Sequence, residues 1–217
     1  MSKEQRVRFA GKDIEVTWDT RLCIHIAECG KAGGGLFVGG RKPWCQPDLA
    51  SAAEVVDVVE RCPSGSLSYA GAPGGSAEKA PSANTVHIAC NGPLFFRGEL
   101  NIADAPADMP GVKFRAALCR CGASKNKPFC DNSHESVDFR DYGSVGEKGT
   151  PLDAAGGPLT IQPLKDGPLL CSGKLSIHTA AGRLAWQGTS VALCRCGGSA
   201  NKPFCDGTHT RIGFRSD

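Results

Sequence analysis

The chain has 217 residues, a net charge of +3, 28 Gly, 14 Pro and 12 Cys, and few large apolar side chains (nine Phe, three Trp, two Tyr, two Met). That cysteine content falls short of a disulfide scaffold, the dispersed charge makes no case for nucleic acid, and no uncharged apolar run approaches the roughly 18 residues that span a bilayer. Charges from Lys3 to Asp13 interrupt any secretory core, so the expectation is a cytoplasmic protein, off the membrane, whose small folding units need staples.

In chain order, Val7, Phe9, Ile14, Val16 and Trp18 predict a hairpin turning at Gly11-Lys12-Asp13. Cys23-Ile24-His25-Ile26-Ala27-Glu28-Cys29 follows, with Cys62-Pro63 far downstream. Bacterial-type ferredoxins carry C-x2-C-x2-C and a distant Cys-Pro. Here Ile26 holds the middle position and cannot ligate, which leaves Cys23, Cys29 and Cys62 as metal candidates, or as thiols that merely fill a core. Ser51 with Glu54 three residues on is a capping-box signature. The helix it opens carries Val55, Val58, Val59 and Cys62 on one face until Pro63 stops it.

Residues 5–70 resemble single-cluster ferredoxins and a group of divergent mono-cluster iron–sulfur domains, on Cys23-Ile24-His25, Lys42-Pro43-Trp44 and Cys62-Pro63-Ser64-Gly65-Ser66-Leu67. The resemblance implies a small ferredoxin-like α+β domain over residues 1–69 with its own cluster. Three thiolates hold [3Fe–4S], whereas [4Fe–4S] takes a fourth ligand from His25, from Cys45 or from solvent. Glycines at 33–35 and 39–40 loosen the intervening loop, so a folded site there is expected to depend on metal.

Residues 70–84, rich in Ala, Gly, Pro and Ser, read as a linker. Beyond them the chain repeats itself. Cys119–His134 recurs as Cys194–His209 with 12 of 16 positions identical, at an offset of 75 that also carries Gly92-Pro93-Leu94 onto Gly167-Pro168-Leu169 and Phe139-Arg140 onto Phe214-Arg215. These are two copies of one unit, expected over 85–147 and 148–217. Leu94-Phe95-Phe96 and Leu175-Ser176-Ile177 are strand-like, and this half reads as all-β or largely irregular.

Each copy offers C-x-C-x8-C-x3-H, a soft donor set suited to zinc or to an iron–sulfur cluster. Zinc fingers usually space their cysteines as C-x2–4-C. A C-x-C pair crowds one ion but suits one iron of a larger cluster. The motifs resemble the mitoNEET-like CDGSH iron–sulfur domain family, on Cys119, Cys121, Ser124 and Lys127-Pro128-Phe129-Cys130-Asp131-Asn132-Ser133-His134, and again from Cys194 to His209. The resemblance implies two [2Fe–2S] clusters, one held by Cys119, Cys121, Cys130 and His134, the other by Cys194, Cys196, Cys205 and His209. It also implies an α+β fold in which two tandem mostly-β units form an intramolecular pseudo-dimer within a monomer. Asn132 departs from the family glycine, and Asn tolerates a left-handed backbone best among other residues.

His87 and His178 read as ordinary surface or strand residues, Cys171 as a small buried apolar one, and Cys90 carries no ligand role. Nothing resembles a catalytic triad, a phosphate loop or a dinucleotide fingerprint, so no catalysis is expected. The expected function is electron transfer or cluster transfer with an unidentified redox or cluster-acceptor protein. The competing readings are a zinc-stabilised interaction module and a redox subunit of a larger oxidoreductase.

Overall fold

A computed structural model describes residues 5–71, 74 and 77–216. The N-terminal hairpin forms as its alternation requires: β1 (Arg6–Ala10) pairs antiparallel with β2 (Glu15–Asp19), and β3 (Leu67–Ala70) adds to the other edge of β2. The Gly11 amide donates to the Ile14 carbonyl (3.0 Å) and closes the turn. Helix α1 (Ala52–Arg61) opens on the full capping box: the Glu54 amide donates to the Ser51 hydroxyl oxygen, and the Ser51 amide donates to the Glu54 carboxylate. Its buried Val55, Val58 and Val59 pack with Phe9, Val16 and Leu67. Burial of such an apolar face, rather than helix propensity, is what holds a ten-residue helix.

The rest of the chain is a barrel-like seven-stranded sheet with short helical turns, so the fold is α+β. Its strands are β4 (Thr85–Ile88), β5 (Leu94–Arg97), β6 (Glu99–Ile102), β7 (Arg115–Leu118), β8 (Pro158–Pro163), β9 (Leu169–His178) and β10 (Leu184–Leu193). The order runs β6-β8-β9-β4-β5-β7, with β10 also on β9. The two copies interleave through parallel ladders. Thr85 and Val86 of β4 face Ser176 and Ile177 of β9, while Asn101 and Ile102 of β6 face Thr160 and Ile161 of β8. Adding or subtracting the offset of 75 turns the first pair of contacts into the second. One core, including Val86, Ile88, Phe96, Leu100, Leu159 and Ile177, is filled from both copies.

The N-terminal unit is clamped onto the first copy. Arg115 of β7 is 1% exposed and donates to the carbonyls of Val59, Cys62 and Leu67 at 2.6, 2.7 and 3.0 Å. Its counter-charge is Glu78, at 2.7 Å. Of the stretch whose composition reads as a linker, 72–73 and 75–76 lie outside the described residues, and Glu78 is anchored by this ion pair. Gly65, with φ +71, makes the close approach possible: a Cβ there would meet the Arg115 carbonyl oxygen at 2.4 Å. Among the described residues no helix is long and apolar enough to cross a membrane.

Candidate metal centres

Strand β7 ends at Leu118 and β10 at Leu193, both buried, so the first cysteine of each tandem set follows directly from a buried strand end. The Cys119 amide donates to the Pro128 carbonyl and the Cys130 amide to the Ala117 carbonyl, both at 2.9 Å. Cys194 and Cys205 repeat these bonds with Pro203 and Ala192 at 2.8 and 2.9 Å. The Ser124 and Ser199 hydroxyls donate to the Phe129 and Phe204 carbonyls at 2.6 and 2.7 Å, cinching each loop. Helices α2 (Ser133–Ser136) and α3 (Thr208–Arg211) then present His134 and His209. The residues before them, Asn132 and Gly207, are both left-handed at φ 70 and 81, so Asn132 does replace the glycine without changing the backbone.

This scaffold brings all eight tandem donors into pairs. The Cys119 and Cys121 sulfurs lie 3.8 Å apart and those of Cys194 and Cys196 3.7 Å apart. Cys130 Sγ lies 3.5 Å from His134 Nδ1, and Cys205 Sγ 3.4 Å from His209 Nδ1. For metal–sulfur bonds of roughly 2.3 Å, two ligands on one tetrahedral metal sit about 3.8 Å apart. Each pair therefore spans the edge that one metal needs. Among the described residues no group of three Cys, His, Asp or Glu side chains could hold a metal ion, and each copy presents its four donors as two pairs.

Backbone amides point at four of the six tandem sulfurs. Amides of Ala123 and Asn132 donate to Cys121 and Cys130 at 3.4 Å, and those of Gly198 and Gly207 to Cys196 and Cys205 at 3.4 and 3.5 Å. The hydrogen bond from Cys119 pulls the Cys121 thiol down to about 7 and, with burial, pushes Cys119 up. Burial pushes the Cys130 thiol up to about 12 and lowers the His134 pKa. Metal binding replaces the protons these buried groups retain.

Two residues missed on sequence are the arginines inside C-x-C. Arg120 and Arg195 are 1% and 2% exposed. They donate from Nε to the Gly92 and Gly167 carbonyls at 2.8 and 3.1 Å and lie over the Phe139 and Phe214 rings. Both the Arg and the Phe recur at the repeat offset, which was the available signal. In the first copy Asp141 pairs with Arg120, whereas the same position of the second copy is Ser216.

The N-terminal candidates also meet. Cys23, Cys29 and Cys62 line one cavity of about 510 Å³ together with His25, Trp18 and Trp44. His25 Nδ1 lies 3.9 Å from Cys23 Sγ. His25 and Ala27 take left-handed φ values of 52 and 66, strain of a kind that concentrates at functional loops. Ile26, at the position a ferredoxin gives to cysteine, also lines this cavity and is 47% exposed, and its side chain offers no donor. Cys45 is 1% exposed in the apolar core, where burial pushes its thiol up to about 12, and does not line this cavity. Cys171 is likewise buried, at 1%.

A small α+β unit with a cysteine-lined cavity, followed by two interleaved copies of a paired Cys/His site, defines an iron–sulfur protein. The chain belongs to the families that this architecture names: residues 9–72 match the divergent 4Fe-4S mono-cluster family, and residues 91–135 and 166–210 each match the iron-binding zinc finger CDGSH type. It is 43% identical over 61 residues to the uncharacterized protein YjdI of Escherichia coli, in strains K12 and O157:H7, a match covering 28% of this chain and 80% of each relative. No solved structure matches it.

Proposed function

We propose that the protein is a cytoplasmic electron or cluster carrier with three iron–sulfur centres and no catalytic step of its own. Cys119, Cys121, Cys130 and His134 would hold one [2Fe–2S] cluster, and Cys194, Cys196, Cys205 and His209 the other. Cys23, Cys29 and Cys62 would hold a [3Fe–4S] or [4Fe–4S] cluster, with His25 favoured over Cys45 as a fourth ligand because it alone of the two lines the cavity. A bound cluster supplies a centre that accepts and releases single electrons, and that can itself be handed on.

The observation that carries this reading is the division of each tandem donor set into two tetrahedral edges. The protein's own contribution is to hold thiolates with backbone amides and to bury the first cysteine of each C-x-C pair. Its imidazoles are the protonatable ends of the sites. The reciprocal β4–β9 and β6–β8 ladders support an intramolecular pseudo-dimer, since a two-fold interface repeats each contact in its mirror role. The acceptor would be a redox or cluster-receiving protein.

Iron, zinc and acid-labile sulfide per chain test the proposal. About four irons with matching sulfide fit the tandem sites alone, and about seven or eight fit all three centres. A colourless protein carrying stoichiometric zinc and no sulfide would sink it.

A further inference from the structure

The residues flanking the N-terminal cysteines are built into the first tandem site. Leu22 and Ile24, on either side of Cys23, are 2% and 5% exposed, and both pack with residues of the tandem unit. Leu22 joins the core of the tandem sheet, and Ile24 packs against Ala117, Cys130 and Phe95. Two asparagines of the Cys130 loop hold the same segment: Asn126 Nδ2 donates to the Arg21 carbonyl at 2.7 Å, and Asn132 Nδ2 to the Ile24 carbonyl at 2.6 Å. The far end of the N-terminal site is tied likewise, because Arg115, four residues before Cys119, takes the Cys62 carbonyl.

The second copy makes none of these contacts from the matching positions. Asn201, the image of Asn126, donates to Glu147, and Gly207, the image of Asn132, has no side chain. The one departure from the glycine pattern is therefore the residue that reaches the other site. Its backbone role is duplicated by Gly207 at nearly the same φ and ψ, so its amide side chain is free for a separate task.

We propose that Asn132 is a positioning residue that clasps the Cys23 segment to the Cys130 loop, coupling the N-terminal centre to the first tandem centre and leaving the second outside the pair. Cys130 shares one buried apolar cluster with Ile24, so ordering the Cys130–His134 loop by filling it orders the Cys23 segment, and the coupling is reciprocal. The coupling rests on the iron–sulfur reading above, while the clasp itself rests only on contacts within the chain.

Hydrogen exchange over residues 21–29 of the full-length protein tests it, in wild type, Asn132→Gly, Gly207→Asn, His134→Ala and His209→Ala. Asn132→Gly keeps the left-handed turn and removes one hydrogen bond, so exchange over 21–29 is expected to rise about fivefold, with faster iron loss from the N-terminal site to a chelator and the tandem absorbance retained. His134→Ala should also raise exchange there, whereas Gly207→Asn and His209→Ala should not. Unchanged exchange in Asn132→Gly, or an equal rise in Gly207→Asn, overturns the clasp. Unchanged exchange in His134→Ala, or an equal rise in His209→Ala, overturns the coupling. If the wild-type protein holds no iron or sulfide, the functional reading and the coupling fail together, and the Asn132→Gly comparison still decides the clasp.

Discussion

Gly122 and Gly197 face each other's copy across the seam of the tandem sheet. A Cβ on Gly122 would lie 2.5 Å from the Cys196 carbonyl oxygen, and one on Gly197 2.5 Å from that of Cys121. Cys121 and Cys196 themselves form an antiparallel bridge, so the seam runs through both tandem sites. Both glycines are left-handed, at φ +83 and +79. Gly122→Ala and Gly197→Ala each add backbone strain to a clash with backbone, and each is expected to cost at least about 2 kcal/mol. Urea unfolding followed by visible absorbance should show colour and fold lost together at a lower midpoint. An unshifted midpoint in either variant would mean that the seam is looser than described.

Glu78 carries the only carboxylate bonded to Arg115 among the described residues, and their side chains are 10% and 2% exposed. Glu78→Gln leaves the guanidinium buried with its three carbonyl acceptors and no counter-charge. The expected loss is about 3 kcal/mol, the scale for removing one member of a buried pair. The denaturant midpoint should fall with an unchanged slope. A neutral result would show that the carbonyls alone compensate the cation.

Acid should empty the tandem sites through their histidines. Burial lowers the His134 pKa, so the fold favours the neutral ring. Its contribution is intact above the unfolded value of roughly 6.5 and is lost as pH falls below it, where the unfolded chain takes up the proton first. Protonation also competes with metal for the ring nitrogen. His134→Cys and His209→Cys should each slow bleaching at about pH 5–6 and lower the reduction potential of their own site, since histidine ligation raises it in Rieske centres. Identical bleaching rates and potentials would remove both histidines from the ligand sets.

The N-terminal site separates its cysteines by burial. Cys62→Ser should lose the iron of that centre alone, because Cys62 lines the cavity with Cys23 and Cys29. Cys45→Ala should keep the iron and cost about 1 kcal/mol of stability as a small core deletion. Iron analysis of both variants decides the matter, and a matching iron loss in Cys45→Ala would make Cys45 the fourth ligand.

The sequence made local features readable. Ser51 and Glu54 announced α1, alternation from Val7 to Trp18 announced the hairpin, and the 75-residue offset announced both tandem donor sets. What stayed hidden depends on contacts distant in the chain. No spacing rule gives the pairing of β4 with β9, because β4 is only four residues long and its partner lies in the other copy. Nothing in the local sequence marks Arg115, whose role lies in the carbonyls of Val59, Cys62 and Leu67 folded around it. Asn132 could be judged for its tolerance of a left-handed turn, but not for the carbonyl its side chain reaches.

The reciprocal ladders have a consequence for how such a protein can change. In a dimer of identical subunits, a substitution on one face appears on the other as well, and any docking surface exists twice. Here the two faces are written separately in one polypeptide. One half has an Asn at position 132 and an Asp at 141, where the other keeps Gly207 and Ser216. With both copies in one polypeptide that equality is not imposed: the first copy carries the hydrogen bonds to the N-terminal unit, and the second can differ at the same positions.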